Sequence, residues 1–565
     1  MFRKKSISLV LLTLAFLLIT GGFALNSGLA QAQPTIDQQQ EFTFSSGSAV
    51  IGLNPILNTT APDNGLQNLV LETLVGKLTD ENSVAVITPA VARDWKISND
   101  GTIYTFYIRE DAVWNDGVPV TAHDFVYTFR KMATPEVGST NAWLFDGIIL
   151  NYADALYDEG KKPEDIGVRA IGDKIVEFKL IKPCAYFLQL LNGAKPVRQD
   201  KYEEWGEAYG SSIDKVVLNG PFVIESWNQN VQMTLTKNEK YWDAENTKLN
   251  RIKRRVIKNP GTAAQSLLSG DIDVLTPIDP DWKRMIKEDG RFKEITSPGS
   301  APEFLSFNCA NKYFKSEKIR LAFSLSFDRE KYIEDLVDGN AEPLYSLMPS
   351  VVNCGNKVYS EVVGRRNQII KTLQKRYPDP RALLIEGLKE EGLDPDPAKM
   401  EIRYATRGTN EFSKKSAEWL LQHWQETLGV TITIDMMEWN IMWDKVNEGD
   451  YDIATAGWGP YYNDPNALLE IYDPVKGFYN SSKSGWTGPD AEKFSQLLVQ
   501  AAFTTKQQSR AELLLHAEEI LVGTGVIAPT YCRIYSTFLA DYVHGYYINP
   551  HAYTDFTIIY TSGKK

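Results

Sequence analysis

An α/β protein of two lobes is predicted by three observations. Between residues 412 and 458 the apolar pattern passes twice from helical to strand period, and this α-β-α-β alternation implies a mainly parallel sheet with helices on its faces. Residues 196–300 are richer in alternating strand patterns. The chain has 565 residues, too many for one hydrophobic core. Two α/β lobes joined by crossing segments, with an additional domain inserted near the N-terminus, account for that length.

Residues 1–32 read as a cleavable leader. Arg3, Lys4 and Lys5 form its basic end, Leu9 to Ile19 is an apolar run too short to span a bilayer, and Ala30-Gln31-Ala32 is a small-x-small cleavage site. The mature chain would start at Gln33. No cysteine lies near that site, so lipid attachment to an N-terminal cysteine is not available. No later segment is apolar for long enough to cross a membrane, which leaves membrane work to partners.

Further along, Ile103 to Ile108 alternate as a strand should, and Asn115, Asp116 and Gly117 form a turn. Thr121 caps a helix, with Asp124 three residues on completing a capping box before Phe125, Val126 and Phe129. Val231, Met233 and Leu235 alternate, and Gly270 to Leu275 reads as a strand. Asp379 and Pro380 supply an N-cap and a proline at the first helical position, opening a helix from Arg381 to Glu391.

The helix Ser416 to Leu428 carries Ala417, Leu420, Leu421, Trp424 and Leu428 on one face, and Gly429 suits the left-handed position that ends it. Val430 to Met436 is a strand, Trp439 to Val446 a helix ended by Gly449, and Tyr451 to Ala456 a strand again. Open parallel sheets take ligands beyond the carboxyl ends of their strands. The loop carrying Gly457 and Trp458 is such a place.

Composition excludes several classes. A formal charge of -12 without a long Lys/Arg cluster argues against nucleic acid. Of the 13 Trp and 27 Tyr, most belong to cores and a minority would line a cleft. Four cysteines, Cys184, Cys309, Cys354 and Cys532, permit three full pairings. Cys309 with Cys354, which flank one helical unit, is the preferred pair, and buried free thiols are the alternative. Without a CxxC, a zinc or redox role is not expected, and no metal or cofactor is assigned. The five histidines, His123, His423, His516, His544 and His551, accompany no GxSxG, HExxH or Walker sequence. The match Gly523-Thr524-Gly525 to Ala528 follows a helix and runs into Pro529, unlike a dinucleotide fingerprint. No enzyme is indicated.

The run from Asp94 to Arg130 resembles the signature segment of the oligopeptide- and dipeptide-binding family of ABC importers, extracellular solute-binding protein family 5. Four further stretches fit the pattern in the same order: Leu53 to Gly76, Asn219 to Trp227, Phe314 to Lys331 and Tyr451 to Pro465. The resemblance implies a two-lobed periplasmic-binding-protein fold of class II type. Lobe I would comprise residues 33–72, 198–303 and 529–565, the inserted domain 73–197, and lobe II 304–528. It also implies a periplasmic monomer that captures oligopeptides and delivers them to a membrane permease, with energy from separate ATPase subunits.

In that family the glycine backbone and tryptophan ring of the glycine-tryptophan step touch peptide, and Gly457 and Trp458 match. Trp439 coincides with a pocket tryptophan, and Thr60-Ala61-Pro62 lies where the family offers backbone to the ligand. Two positions depart. Tyr461 replaces an aspartate that pairs with the peptide amine, and Thr455 replaces an arginine that some relatives use for a ligand carboxylate. Asp464 could serve only by a different loop path. In the strand-like tail Tyr531 is a further site candidate, and Arg533 would face either an anionic ligand or solvent. The lost aspartate keeps open an amine-blocked or cyclic peptide, an oligosaccharide, an opine-like compound or a metal chelate. A periplasmic hydrolase, a chaperone and a signalling receptor are the readings outside transport.

Overall fold

A computed structural model describes residues 36–564 except 59, 82, 83, 278, 409 and 410. The leader at 1–32 and the start at Gln33 lie outside the described residues. One mixed sheet of eleven strands runs through both lobes. Its strands are β1 (Glu41–Ser46), β2 (Phe222–Asn228), β3 (Gln232–Lys237), β4 (Arg251–Val256), β5 (Val274–Leu275) and β6 (Phe292–Phe307). They continue as β7 (Ala341–Pro343), β8 (Ile402–Arg407), β9 (Ile432–Met437), β10 (Ile453–Gly457) and β11 (Ile527–Ala540). The spatial order is β9-β8-β10-β6-β11-β5-β1-β4-β3-β2, with β7 added to β11.

Parallel pairing is confined to β8 beside β9 and β10, and to β1 beside β4 and β5. The sheet is therefore mixed rather than mainly parallel. The reason lies in its centre, where β6 and β11 are long enough to belong to both lobes and pair antiparallel from Phe292 opposite Ala540 to Ser306 opposite Ile527. Their ladder is irregular between Pro298 and Pro302 and again between Glu303 and Phe304. Proline has no N–H to give to a ladder, so the pair loosens where it passes between lobes.

Two large apolar cores flank this crossover. One gathers Phe304, Phe323, Trp424, Ile453 and Leu514, and the other Phe42, Phe106, Phe178, Leu235 and Ile252. The second includes the separate four-stranded sheet of Ala92–Ile97, Ile103–Ile108, Ile175–Lys179 and Val168–Ala170. At the crossover the fully buried Arg329 has four carbonyls as acceptors, those of Ser324, Phe327, Leu344 at 2.7 Å and Pro529 at 2.6 Å. Burial lowers its guanidinium to about 10. It ties the start of β11 to the end of a helix.

Local signals behave as their chemistry requires. The Thr121 amide donates to the Asp124 carboxylate at 2.8 Å, and the Ala382 amide to Asp379 at 2.9 Å. Gly429 has φ +77° after the helix α2 (Glu411–Thr427). Two expectations are corrected. Only Val274 and Leu275 of the segment from Gly270 form a strand, because Gly270 turns at φ +81° and the Asp273 carboxylate takes the Thr43 amide at 2.6 Å. The Cys309–Cys354 pair does not form: all four cysteines are buried free thiols. Cys309 faces the Phe307 carbonyl and Cys354 the Arg510 guanidinium, each at 3.7 Å. Among the described residues no helix is long and apolar enough to cross a membrane.

Candidate functional site

The strand β10 ends where β6 leaves one lobe for the other. Thr455 pairs with Leu305 and Gly457 with Glu303, and the Trp458 amide donates to the Pro302 carbonyl at 3.3 Å. Successive strand residues point to opposite faces, so Thr455 and Gly457 share one face. A Cβ at 457 would stand 3.0 Å from Glu303 Oε2, so a side chain there would require the carboxylate to shift. The Glu303 carboxylate thus lies directly over this backbone.

On that side is a cavity of about 350 Å³ at the crossover. Thr455, Tyr531, Glu303, Arg407, Arg533 and Tyr332 line it. Arg407 Nη2 donates to both Glu303 oxygens, at 2.5 and 2.7 Å. Tyr531 stacks on Tyr332 with ring centroids 5.4 Å apart, and burial pushes its hydroxyl up to about 12. The Tyr332 hydroxyl meets Ser416 Oγ at 2.6 Å. This cavity combines fixed charge with hydroxyl groups.

Beyond Trp458 a second cavity of about 590 Å³ opens between the lobes. Trp458 packs against Phe478 at 5.1 Å and Tyr461 at 6.1 Å, while Trp143, two residues before Phe145 of the other apolar core, meets Tyr461 edge-on at 4.7 Å. Tyr461 is 57% exposed. The loop that follows is anchored across the cleft. Tyr462 stacks on Tyr186 at 4.2 Å, and the Asn463 backbone exchanges hydrogen bonds with the Gln189 amide at 2.7 and 3.2 Å. Glu470, also lining this cavity, receives Asn466 Nδ2 at 2.7 Å and the Tyr462 hydroxyl at 2.9 Å. Burial raises its carboxyl to about 7.

Asp464 does not replace the aspartate absent at Tyr461. It is buried and accepts two hydrogen bonds from Arg510, at 2.6 and 2.8 Å, so its charge is already neutralised inside the protein. Thr455 and Tyr531 line the crossover cavity and Gly457 lies against its Glu303, whereas Trp458 and Tyr461 line the aromatic one. Ala61 opens the helix α1 (Ala61–Val70) and Trp439 opens α3 (Trp439–Glu448). The side chains of both lie outside the described ones.

Sequence reasoning missed Glu303, Arg407, Trp143 and Phe478. A signal existed for Arg407, which ends a parallel strand just before Gly408. Glu303 is the one charged residue in the second half of its strand, from Ser297 to Phe307. Nothing in the residues around Trp143 and Phe478 marks them, because Trp143 meets Tyr461 and Phe478 meets Trp458 only through the tertiary fold.

The model for bacterial extracellular solute-binding proteins, family 5 Middle, matches residues 86–480. The chain belongs to this family. It is 28% identical over 542 residues to the dipeptide-binding protein DppE of Bacillus subtilis, covering 94% of this chain and 96% of that one. It is equally 28% identical over 516 residues to the periplasmic oligopeptide-binding protein OppA of Salmonella typhimurium, covering 90% of each. Among solved structures, the murein tripeptide-binding protein MppA in its unliganded open form superposes with a TM-score of 0.77 at 25% identity, covering 94% of this chain and 99% of that one. OppA of Listeria monocytogenes bound to peptide gives 0.68 at 26% identity, covering 94% and 100%. The two-lobed α/β fold is that of these family 5 proteins.

Proposed function

We propose that this solute-binding protein is the extracytoplasmic component of an ABC importer, which captures oligopeptides between its lobes and presents them to a membrane permease. One observation carries the reading: the Gly457–Trp458 step, at the carboxyl end of a parallel strand, is flanked by a charged cavity and an aromatic one. Free backbone edges would hold an extended ligand by hydrogen bonds worth about 0.5–1.5 kcal/mol each. Roomy aromatic walls would then accept varied side chains.

The names of the relatives, which bind dipeptides and oligopeptides, support the same assignment. No histidine lines either cavity among the described residues, which favours capture over hydrolysis. Residues 1–32 would direct the chain to the periplasm as a monomer, and 33–72, 198–303 and 529–565 would form lobe I around the insert 73–197, with 304–528 as lobe II. Closure would be a hinge motion at the β6–β11 crossover. A second reading, a non-peptide or amine-blocked ligand, is favoured by Tyr461 and by the engagement of Asp464 with Arg510.

Native mass spectrometry of the protein purified from its own host, followed by sequencing of the released ligand, tests both. A mixture of short peptides with free amines is expected. A single non-peptide species would favour the second reading, and consumption of added peptide would overturn capture altogether. A true ligand at about 100 times its Kd should stabilise the fold by about 2.7 kcal/mol.

A further inference from the structure

The segment after β10 is shared between the two apolar cores. Ile453, Ala454 and Ala456 belong to the first core, Tyr462 and Ala467 to the second, and Leu468 and Leu469 to the first again. Between Ala456 and the buried run Tyr462 to Asn466, only Gly457 to Tyr461 are open to solvent. Both ends of this open stretch are pinned. At its start Gly457 pairs with Glu303, and the Trp458 amide donates to the Pro302 carbonyl. At its end Gln189, one residue before Leu190 of the second core, spends both halves of its side-chain amide on Asn463. Gln189 Oε1 accepts the Asn463 N–H at 2.7 Å, and Nε2 donates to the Asn463 carbonyl at 3.2 Å. The Asn463 side chain is held from the opposite direction, since its Oδ1 accepts the Asn353 amide at 2.8 Å beside Val352 and Cys354 of the first core.

We propose that Gln189 is a positioning residue: its two-bond clasp on Asn463 sets where the Trp458 and Tyr461 rings stand and couples ligand contact on them to the relative placement of the two cores. The assignment rests on the capture reading above, in which those rings touch ligand, and adds to it a conformational part. Gln189 lines neither cavity, so it acts through the loop and not on the ligand. Trp458, Gly459, Pro460 and Tyr461 make a short span in which the proline fixes one φ, and such a span has few conformations once both ends are held. Moving one core against the other therefore opens the clasp or displaces the rings. The converse follows by linkage. A ligand that holds the rings removes part of the ordering cost of the clasp, and the clasp raises affinity by the same factor.

Hydrogen exchange of the mature wild type, resolved to single amides, tests the coupling without any variant. The Asn463 N–H reports the clasp directly, and the Thr121 N–H, bonded locally to Asp124, is the reference. An equimolar tripeptide library should slow Asn463 about fivefold or more relative to Thr121. Equal slowing of the two overturns the coupling. Gln189→Met, close in volume and without either hydrogen bond, gives the second arm. Small-angle scattering of the ligand-stripped variant should show a larger radius of gyration than wild type, with the two radii converging at saturating tripeptide. Its tripeptide affinity should fall about tenfold, as two lost hydrogen bonds provide. A variant less stable in urea yet equal to wild type in radius and affinity overturns the coupling and leaves Gln189 a structural residue. Failure of the wild type to bind any tripeptide overturns the peptide reading, and the radius of the ligand-free variant then decides the clasp by itself.

Discussion

The two cavities beside the Gly457–Trp458 step share one strand end and differ in almost everything else. At the crossover, the walls come from β6, β8, β10 and β11, strands whose backbones are fixed by ladders, and the side chains include a carboxylate and two guanidiniums. Beyond Trp458, the walls are loops and short helical turns with one face of the helix Pro489–Phe503, and the side chains that meet are rings, set beside charged groups such as Lys182, Glu470 and Asp473. Charges need fixed geometry, because a guanidinium misplaced by an ångström or so loses its two-pronged contact. Rings tolerate displacement, since dispersion has no strict direction. A binding protein with one cavity of each kind can fix the orientation of a ligand while leaving its side chains loosely specified.

Four changes would break or sharpen this contrast. Asp464→Asn should have the largest effect, because it strands the buried Arg510 charge and frees the loop that walls the aromatic cavity. A loss of about 3–5 kcal/mol is expected for such a pair, read from the urea midpoint. Gly457→Val drives a side chain into the Glu303 carboxylate and should cost about 1–3 kcal/mol. Because a flexible side chain can yield, Glu303→Ala in the same chain should restore part of that loss; no restoration would mean that the clash is with backbone.

A change remote from both cavities provides the control. Among the described residues His551 is buried without a hydrogen-bond partner on either ring nitrogen, and burial depresses its imidazole from 6.5 to about 3. Its folded form therefore refuses a proton that the unfolded chain accepts. The stability this preserves is complete above pH 6.5 and falls by about 1.4 kcal/mol per pH unit as the pH drops toward 3. In His551→Phe the slope between pH 6.5 and 5 should be smaller by that amount while peptide affinity stays constant. The smallest effect is expected for Trp143→Ala, which removes an edge-on contact with Tyr461. Affinity for peptides with bulky apolar side chains should weaken by about 0.5–1.5 kcal/mol, and that for alanine-rich peptides should not change.

Much of the frame was readable before any coordinates. Asp379 and Thr121 mark helix starts by their own hydrogen-bonding chemistry, Gly429 ends a helix because it tolerates positive φ, and the alternation between 412 and 458 fixes which face of each element is apolar. These are local facts, decided within a few residues of chain. Gly457 and Trp458 are readable as a candidate site for a similar reason, standing at the end of a strand in a parallel pattern.

The pairing of long-range partners was not readable. The strand reading of Gly270 to Leu275 overran because the Asp273 side chain is claimed by Thr43, 230 residues away. Asp464 could serve a ligand only by a different loop path, and Arg510, 46 residues further on, holds it inside the protein. Sequence by itself determined the order of elements, the apolar faces and the strand end that faces the cleft, since each follows from propensity and periodicity along the chain. Only the tertiary structure decided which charges cancel and which rings meet across the cavity beyond Trp458. Those outcomes depend on distances between residues that the chain separates by up to hundreds of positions.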